Sequence, residues 1–281
     1  MRIRPLQPSD VDAAREPGRA TLPPPPGTDP ADADTYWAAR FNRLVATDPD
    51  GCWCAEHDDG RIVGAALSLV RDGIWGLSFF AVHPDFQAQG IGGRILTAAL
   101  GHAEGARAAL IASSTDPKAM RRYSRAGFDL HPCVAAAGIV DRSRLPGGLR
   151  SVEADSSALE LARPLGRATR GGAYAPEDLD VYVQAGAGVF RCGDAGLCIT
   201  RTGGISIVLA RDDATAADLL WTALAASPLG STIEIDFITA RNNWAIRVAL
   251  EAGLALSPDG PMFARGELGP MRPWIPAGTF L

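Results

Sequence analysis

The sequence predicts a mixed α/β fold built twice over, and three observations predict it. Three apolar runs, Cys52–Glu56, Ile62–Val70 and Ile74–Val82, are separated by short Asp-Gly turns, the spacing of an antiparallel meander. The third run leads through Gly90-Ile91-Gly92-Gly93 into the apolar-periodic stretch Ile95–Ala103, a strand–turn–helix sequence. A shift of 126 residues lays Ala108–Pro132 over Glu234–Pro258 without a gap. Six identities result: Ala119/Ala245, Arg121/Arg247, Ala126/Ala252, Gly127/Gly253, Leu130/Leu256 and Pro132/Pro258. Each half thus carries the same strand–helix–Gly–strand unit.

The elements follow in order. Met1–Leu6 reads as a strand and Ser9-Asp10 as the start of a helix. Pro23–Pro26 supplies no N–H and reads as a stiff extended loop, either a surface connection or a wall of a substrate cleft. Asp29-Pro30 pairs an N-cap with a first-turn proline. The helix it opens runs to about Ala46, with Tyr36, Trp37, Ala39, Phe41 and Leu44 as its apolar stripe. After the meander come a strand at Ala108–Ser113, a helix at Asp116–Ala126 ended by Gly127, and strand from Phe128 to Val140. Pro146-Gly147-Gly148 and a shift in composition place a boundary near residue 150, giving domains 1–150 and 151–281.

The second half starts again with a strand at Ser151–Asp155 and a helical stretch, Ala158–Thr169, interrupted at Pro164. A helix at Pro176–Ala185 and strands at Gly188–Arg191, Leu197–Arg201 and Ile205–Ala210 come next. Ala214–Ala226 is a helix, Thr232–Thr239 a strand, and Asn243–Ala252 a helix closed by Gly253.

Composition narrows the function. At 281 residues the chain suits two domains. Its 27 Lys+Arg against 32 Asp+Glu, with no basic block of five, argue against nucleic-acid binding through clustered cations. No apolar run approaches the ~18 residues of a membrane span. Met1-Arg2-Ile3-Arg4-Pro5 lacks the apolar core of a signal peptide. Five cysteines without a CxxC pair are expected to be free, mostly buried thiols in a reducing cytosol. No metal-ligand spacing is present. Lys118 alone among the basic residues is lysine, which reads as coding bias.

Chemistry concentrates at Gln87-Ala88-Gln89-Gly90-Ile91-Gly92-Gly93. A glycine turn at a helix N-terminus presents free N–H groups and the positive dipole end to an anion. No Gly-Lys-Ser/Thr follows, so it is not a Walker loop, and the dinucleotide pattern GxGxxG also fails.

That Gln-x-x-Gly-x-Gly pattern, after Ala81-Val82-His83-Pro84, resembles the signature of the GNAT N-acetyltransferase superfamily. Asp116-x-x-Ala119-x-x-x-Tyr123-x-x-x-Gly127-Phe128 is similar to that family's Asn-x-x-Ala…Tyr…Gly-Phe segment. The resemblance covers residues 1–140 directly and the rest through the repeat, so the chain resembles a tandem GNAT protein. It implies two domains, each with a central, mostly antiparallel sheet flanked by helices. It implies acetyl-CoA as cosubstrate and direct transfer of acetyl to an amine of a small molecule or peptide.

Residue by residue, Gln87, Ala88, Gln89, Gly90, Gly92 and Gly93 match the pyrophosphate loop. Ala81 and Val82 match the strand whose backbone pairs with the pantetheine arm, and the Val82 N–H is the expected oxyanion donor. Tyr123 matches the tyrosine that protonates the departing thiolate, and Asp116 stands where the family usually has Asn. Arg94, Arg121, Arg122 and Arg125 lie on helices expected to flank the phosphates; Arg121 and Arg125 share a face.

A general base is not evident. Trp75–Phe80 has no carboxylate, His83 reads as a turn residue, and Glu56 and His57 are weaker candidates. In the second half Val208–Asp213 has no glycine loop and Ala249 stands at the Tyr123 position. Met262–Gly266 looks like the closing strand of a GNAT-like C-terminal domain. That half is expected to be a degenerate partner. The alternative for the whole chain is a non-catalytic acyl-CoA-binding sensor or scaffold.

Overall fold

Apolar runs punctuated by Asp-Gly turns form the predicted meander in a computed structural model, which describes residues 1–22 and 29–281. Strands β1 (Arg2–Pro5), β2 (Cys52–Glu56), β3 (Ile62–Arg71) and β4 (Ile74–Val82) pair antiparallel in that order. Helices α1 (Val11–Arg19) and α2 (Pro30–Thr47) connect β1 to β2. Asp29 caps α2 as expected, its Oδ1 accepting from the Ala31 N–H at 2.8 Å. Asp10 does not cap α1. Its carboxylate accepts instead from Arg4 and the Gln7 N–H, tying the helix start to β1. The predicted proline loop at Pro23–Pro26 lies outside the described residues.

The first half continues with α3 (Ile91–Gly101), β5 (Ala108–Ala112), α4 (Pro117–Arg125) and β6 (Asp129–Ile139). The second half holds β7 (Val152–Ala154), α5 (Ala162–Thr169), α6 (Pro176–Gln184), β8 (Val189–Arg191), β9 (Gly196–Arg201) and β10 (Gly204–Ala210). Then come α7 (Asp213–Ala226), β11 (Thr232–Thr239), α8 (Asn243–Glu251), β12 (Ala255–Gly266) and β13 (Trp274–Ile275). Pro164 falls in the first turn of α5, after the 3₁₀ segment Ser156–Leu161, where a missing N–H breaks no helical bond. The 126-residue repeat is structural: it carries α4 onto α8 residue for residue, and Asp129 onto Ala255, where β6 and β12 begin.

All strands join one sheet, in the order β1-β2-β3-β4-β5-β12-β6-β11-β10-β9-β8-β7, with β13 beside β10. Its centre is an exchange. β12 inserts between β5 and β6, pairing Met262–Gly266 with Ala112–Ala108 on one side and Ala255–Ala264 with β6 on the other. β6 in turn pairs with β11. The first half thus gives β6 to the second and the second gives β12 to the first, and the two half-sheets are joined edge to edge. Residue 150 lies in the link from β6 to β7, but the ladder of hydrogen bonds runs on past it.

Helices cover both faces. On one, α3 and α4 bury Ile95, Leu96 and Tyr123 against Trp75, Ile111 and the exchanged Phe263. On the same face of the second half, α7 and α8 bury Leu219, Leu220 and Val248 against Val208, Ile235 and Ala136 of β6. The opposite face is one apolar core shared by both halves, with Phe41 and Leu44 of α2, Leu165 of α5 and Leu179 of α6. A buried ionic tie crosses it: Arg71 of β3 binds Asp48 at 2.8 Å and Asp178 of α6 at 2.6 Å. All five cysteines are free, and four are buried. Among the described residues no helix is long and apolar enough to cross a membrane.

Candidate functional site

The site begins where two parallel strands part. β4 pairs with β5 only from Ile74 to Leu77. A bulge follows at Ser78, since Leu67 faces Phe79 and Ser68 faces Leu77. From Phe79 to Val82, β4 stays on β3 and leaves its other edge without a strand partner. Backbone alternation decides which groups face that edge. The His83 N–H donates to Val63 O, so Ala81, two residues earlier, also turns its amide and carbonyl to β3. Phe80 and Val82 turn theirs to the cleft, and the Val82 carbonyl accepts from Gln87 Nε2 at 3.1 Å. Of the two strand positions singled out from sequence, Val82 turns its backbone groups to the cleft; Ala81 does not, because its hydrogen-bonding groups belong to the β3 ladder.

The glycine loop then opens α3. Ala88 and Gly90 both adopt left-handed backbone, with φ of 61° and 78°. Gly90 is the N-cap and has no side chain to cap with; the Gly93 N–H donates to Gly90 O at 3.1 Å, while those of Ile91 and Gly92 stay open to an anion. At Gly92 a Cβ would sit 3.2 Å from Phe80 and 3.4 Å from the Arg122 guanidinium carbon, so the helix start is held close to β4 and α4. Gln87, Ala88, Gly90 and Gly92 line a cavity of about 810 Å³. Gln89 and Gly93 do not line it. The Gln89 amide donates back to Asp85 O at 3.4 Å, and the Cβ position of Gly93 meets nothing within 4 Å.

Helix α4 forms the opposite wall. Asp116 caps it, Oδ1 accepting from the Lys118 N–H at 2.9 Å, and lines the cavity. Lys118 and Arg122 share the cavity face of α4; Arg94, Arg121 and Arg125 do not line it. Lys118 was legible as the lone lysine but not as a site residue. Tyr123 lines the same cavity, packed edge-on against Phe80 and Phe263 at centroid distances of 6.4 and 5.3 Å. Burial pushes its phenol well above the ordinary value; Arg122 opposes the shift and Asp116 adds to it.

The far end of the cavity comes from elsewhere: Trp37 and Arg40 of α2, and Asp236, Phe237 and Asp259 of the second half. None of these was singled out from sequence as a site residue; Trp37 was read only as part of the apolar stripe of α2. The one signal was Glu234 and Asp236, two carboxylates at alternate positions of an otherwise apolar strand. Burial pushes the Asp236 carboxyl up to about 6; Arg201 opposes this, and the Glu234 and Asp259 charges add to it. The candidates read from sequence lie apart. Glu56 pairs with Arg4, His57 with Asp59, and the His83 ring accepts from the Asp85 N–H, the turn role expected of it.

The matching cleft of the second half is closed. β10 and β11 pair in parallel only at Gly204–Ile205, so they part as β4 and β5 do. There β13 fills the gap, Ile275 and Trp274 pairing with Val208 and Leu209. Asp212 caps α7, taking the Thr215 N–H at 2.8 Å, and Ala249 is fully buried where α4 carries Tyr123. The strand edge and the helix N-terminus that stand open in the first half are both occupied here by the chain itself.

The Acetyltransferase (GNAT) family matches residues 19–128. No curated protein matches the sequence. A candidate acetyltransferase from Pyrococcus horikoshii superposes with a TM-score of 0.79 at 15% identity, over 100% of this chain and 95% of that one. A GCN5-related N-acetyltransferase from Sphaerobacter thermophilus gives 0.58 at 15% identity, over 99% and 98%. A tandem GNAT protein from the clavulanic acid biosynthesis pathway gives 0.58 at 16% identity, over 94% and 98%. Residues 19–128 thus match the GNAT acetyltransferase family, in a chain whose fold is that of tandem GNAT proteins.

Proposed function

We propose that the protein is an acetyl-CoA-dependent N-acetyltransferase whose single active site lies in the first half, residues 1–150, with residues 151–281 as a degenerate partner that supplies part of the acceptor wall. The observation that carries this reading is the open β4 edge beside the uncapped N-terminus of α3, on one cavity with Tyr123. The residues present fit the cosubstrate. Open N–H groups of α3, with Lys118 and Arg122 nearby, suit a pyrophosphate. The Phe80 and Val82 backbone suits an extended amide-bearing arm, and the Val82 N–H suits a developing oxyanion. A buried, protonated Tyr123 holds a proton for the departing sulfur. Five unbridged cysteines fit a reducing compartment.

The experiment pairs calorimetry of acetyl-CoA binding with thiol release over a panel of amines. Binding together with amine-dependent release supports the reading. Binding without turnover of any amine supports a non-catalytic acyl-CoA-binding protein instead.

A further inference from the structure

Two cavities meet behind the cleft. The first, of about 810 Å³, holds the glycine loop and Tyr123; the second, of about 480 Å³, contains no loop residue. Trp37, Arg40, Asp236, Phe237 and Gly278 line both, and so form the wall between them. That wall carries two charges of opposite sign: Arg40 has no counter-charge among the described residues, and Asp236 keeps one oxygen open.

Arg40 is 5% exposed. Its Nε donates to Ser78 Oγ at 3.1 Å, at the β4 bulge, and its guanidinium lies over the Trp37 ring, 5.0 Å from the centroid. Among the described residues no carboxylate lies within salt-bridge distance of it. A guanidinium remains charged in a protein, and a buried charge without a counter-charge is costly. An anionic group of a ligand would remove that cost.

Asp236 offers the complement. Its Oδ2 accepts from Arg201 at 2.6 Å, and its Oδ1 has no partner among the described residues. The neighbouring acids are engaged. Glu234 shares Arg201 at 3.3 Å, and both Asp259 oxygens accept backbone N–H groups, from Phe237 at 2.7 Å and Gly260 at 2.6 Å. Asp259 thereby holds the Phe237 bulge, where φ is 55°, and Asp236 keeps Oδ1 open beside its pair with Arg201. Ser206, 5% exposed, lines the second cavity, and its hydroxyl has no partner among the described residues.

Resting on the acetyltransferase reading above, we propose that the acceptor is a zwitterion of the amino-acid class, its anionic group on Arg40 and its amine against Asp236 Oδ1. An acceptor with only positive charge would leave Arg40 unneutralised beside a second cation. One with only negative charge would lack the nucleophile. In the transfer the ammonium gives a proton to Asp236, and the nitrogen lone pair forms the C–N bond at the thioester carbonyl. The C–S bond breaks and sulfur takes the Tyr123 proton. The nitrogen sheds two protons in all: one leaves to solvent from Asp236, the other restores Tyr123.

The test follows thiol release from acetyl-CoA by the full chain with the proteinogenic L-amino acids, each set against the amine left when its carboxylate is removed. At least one amino acid should exceed its decarboxylated counterpart by about 10²-fold or more in kcat/KM, because the counterpart leaves Arg40 unpaired. Arg40→Gln should remove that preference, raising KM for the amino acid and lowering it for the decarboxylated amine, whose charge no longer lies beside an unpaired guanidinium, with the calorimetric affinity for acetyl-CoA retained. Arg40→Lys should recover part of it. Decarboxylated amines that match or outrun the amino acids overturn the proposal, as do equal losses for both sets in a folded Arg40→Gln. Acetyl-CoA binding with no turnover of either set also overturns it. The wild-type comparison needs no variant, so misfolding of Arg40→Gln leaves the test standing. Wild-type protein that fails to bind acetyl-CoA overturns the acetyltransferase reading itself, a result separable from the others by calorimetry alone.

Discussion

Two side chains at the cleft have their protonation set by burial, in ways that suit opposite tasks. The Tyr123 phenol is held protonated far above neutral pH, so its proton is present throughout the working range. Tyr123→Phe keeps the ring between Phe80 and Phe263 and removes only the hydroxyl. Single turnover with an accepted amine should slow by about 10²–10⁴-fold, the range for a positioned acid, with acetyl-CoA affinity unchanged. An unaltered rate assigns the ring to packing alone. Asp236 works in the other sense, since a base must be ionised. With its carboxyl at about 6, kcat/KM should be full above that pH and fall as the pH drops through it. Burial pushes the Asp259 carboxyl up as well, while the Phe237 and Gly260 N–H groups oppose that shift, so the variant at Asp236 assigns the limb. Asp236→Asn should therefore lower the plateau and abolish the acid limb. A limb that persists unchanged in that variant belongs to another group.

At the scale of elements, the contrast between α3 and α7 shows how a single N-cap residue decides whether a helix end can bind. Gly90 leaves the α3 N–H groups open, while Asp212 fills those of α7. Asp212→Ala should cost about 1 kcal/mol in denaturant unfolding, the value of a lost cap, and leave acetyl-CoA binding untouched. Gly92→Asp is the converse experiment. It sets a carboxylate between Phe80 and Arg122 at the mouth of α3, where space is short and where the proposed pyrophosphate would lie. Calorimetry should find acetyl-CoA binding lost while the circular dichroism spectrum stays native. Retained affinity would move the phosphate site away from this loop. The β4 bulge at Ser78 acts likewise: one extra residue ends the pairing with β5 and opens the cleft.

At the scale of the molecule, the exchange of β6 and β12 makes the halves depend on each other. Without β12, β5 would present an unpaired edge in the middle of an apolar core, and Tyr123 would lose Phe263 from its packing. Phe263 is fully buried, so Phe263→Ala should destabilise the whole chain by about 3–5 kcal/mol in a single unfolding transition. Fragments 1–150 and 151–281 should each fail to give a cooperative melt alone, and recover one when mixed. Two independent melts would show that the halves are separable domains. The exchange also explains why a second-half strand, β11, can deliver Asp236 to a first-half cavity: it lies only two strands from β12.

What the sequence by itself determined is the chemistry carried by contiguous residues. The helix caps at Asp29 and Asp116, the glycine loop and the meander depend on neighbours a few positions away, and local sterics and hydrogen bonding dictate them. The repeat was legible for the same reason, since each copy must form its own strand–helix–strand unit. Tyr123 was legible through the motif around it. Arg40, Asp236 and Ser206 were not, because nothing in their local sequence says which cavity they face; they meet only through α2 packing on the sheet and through β11 lying near β12. Nor does alternation within β12 or β13 name the strand each will pair with. A strand edge accepts any partner of suitable direction, so tertiary packing alone decided that β12 crosses between the halves and that β13 closes the second cleft while the first stays open.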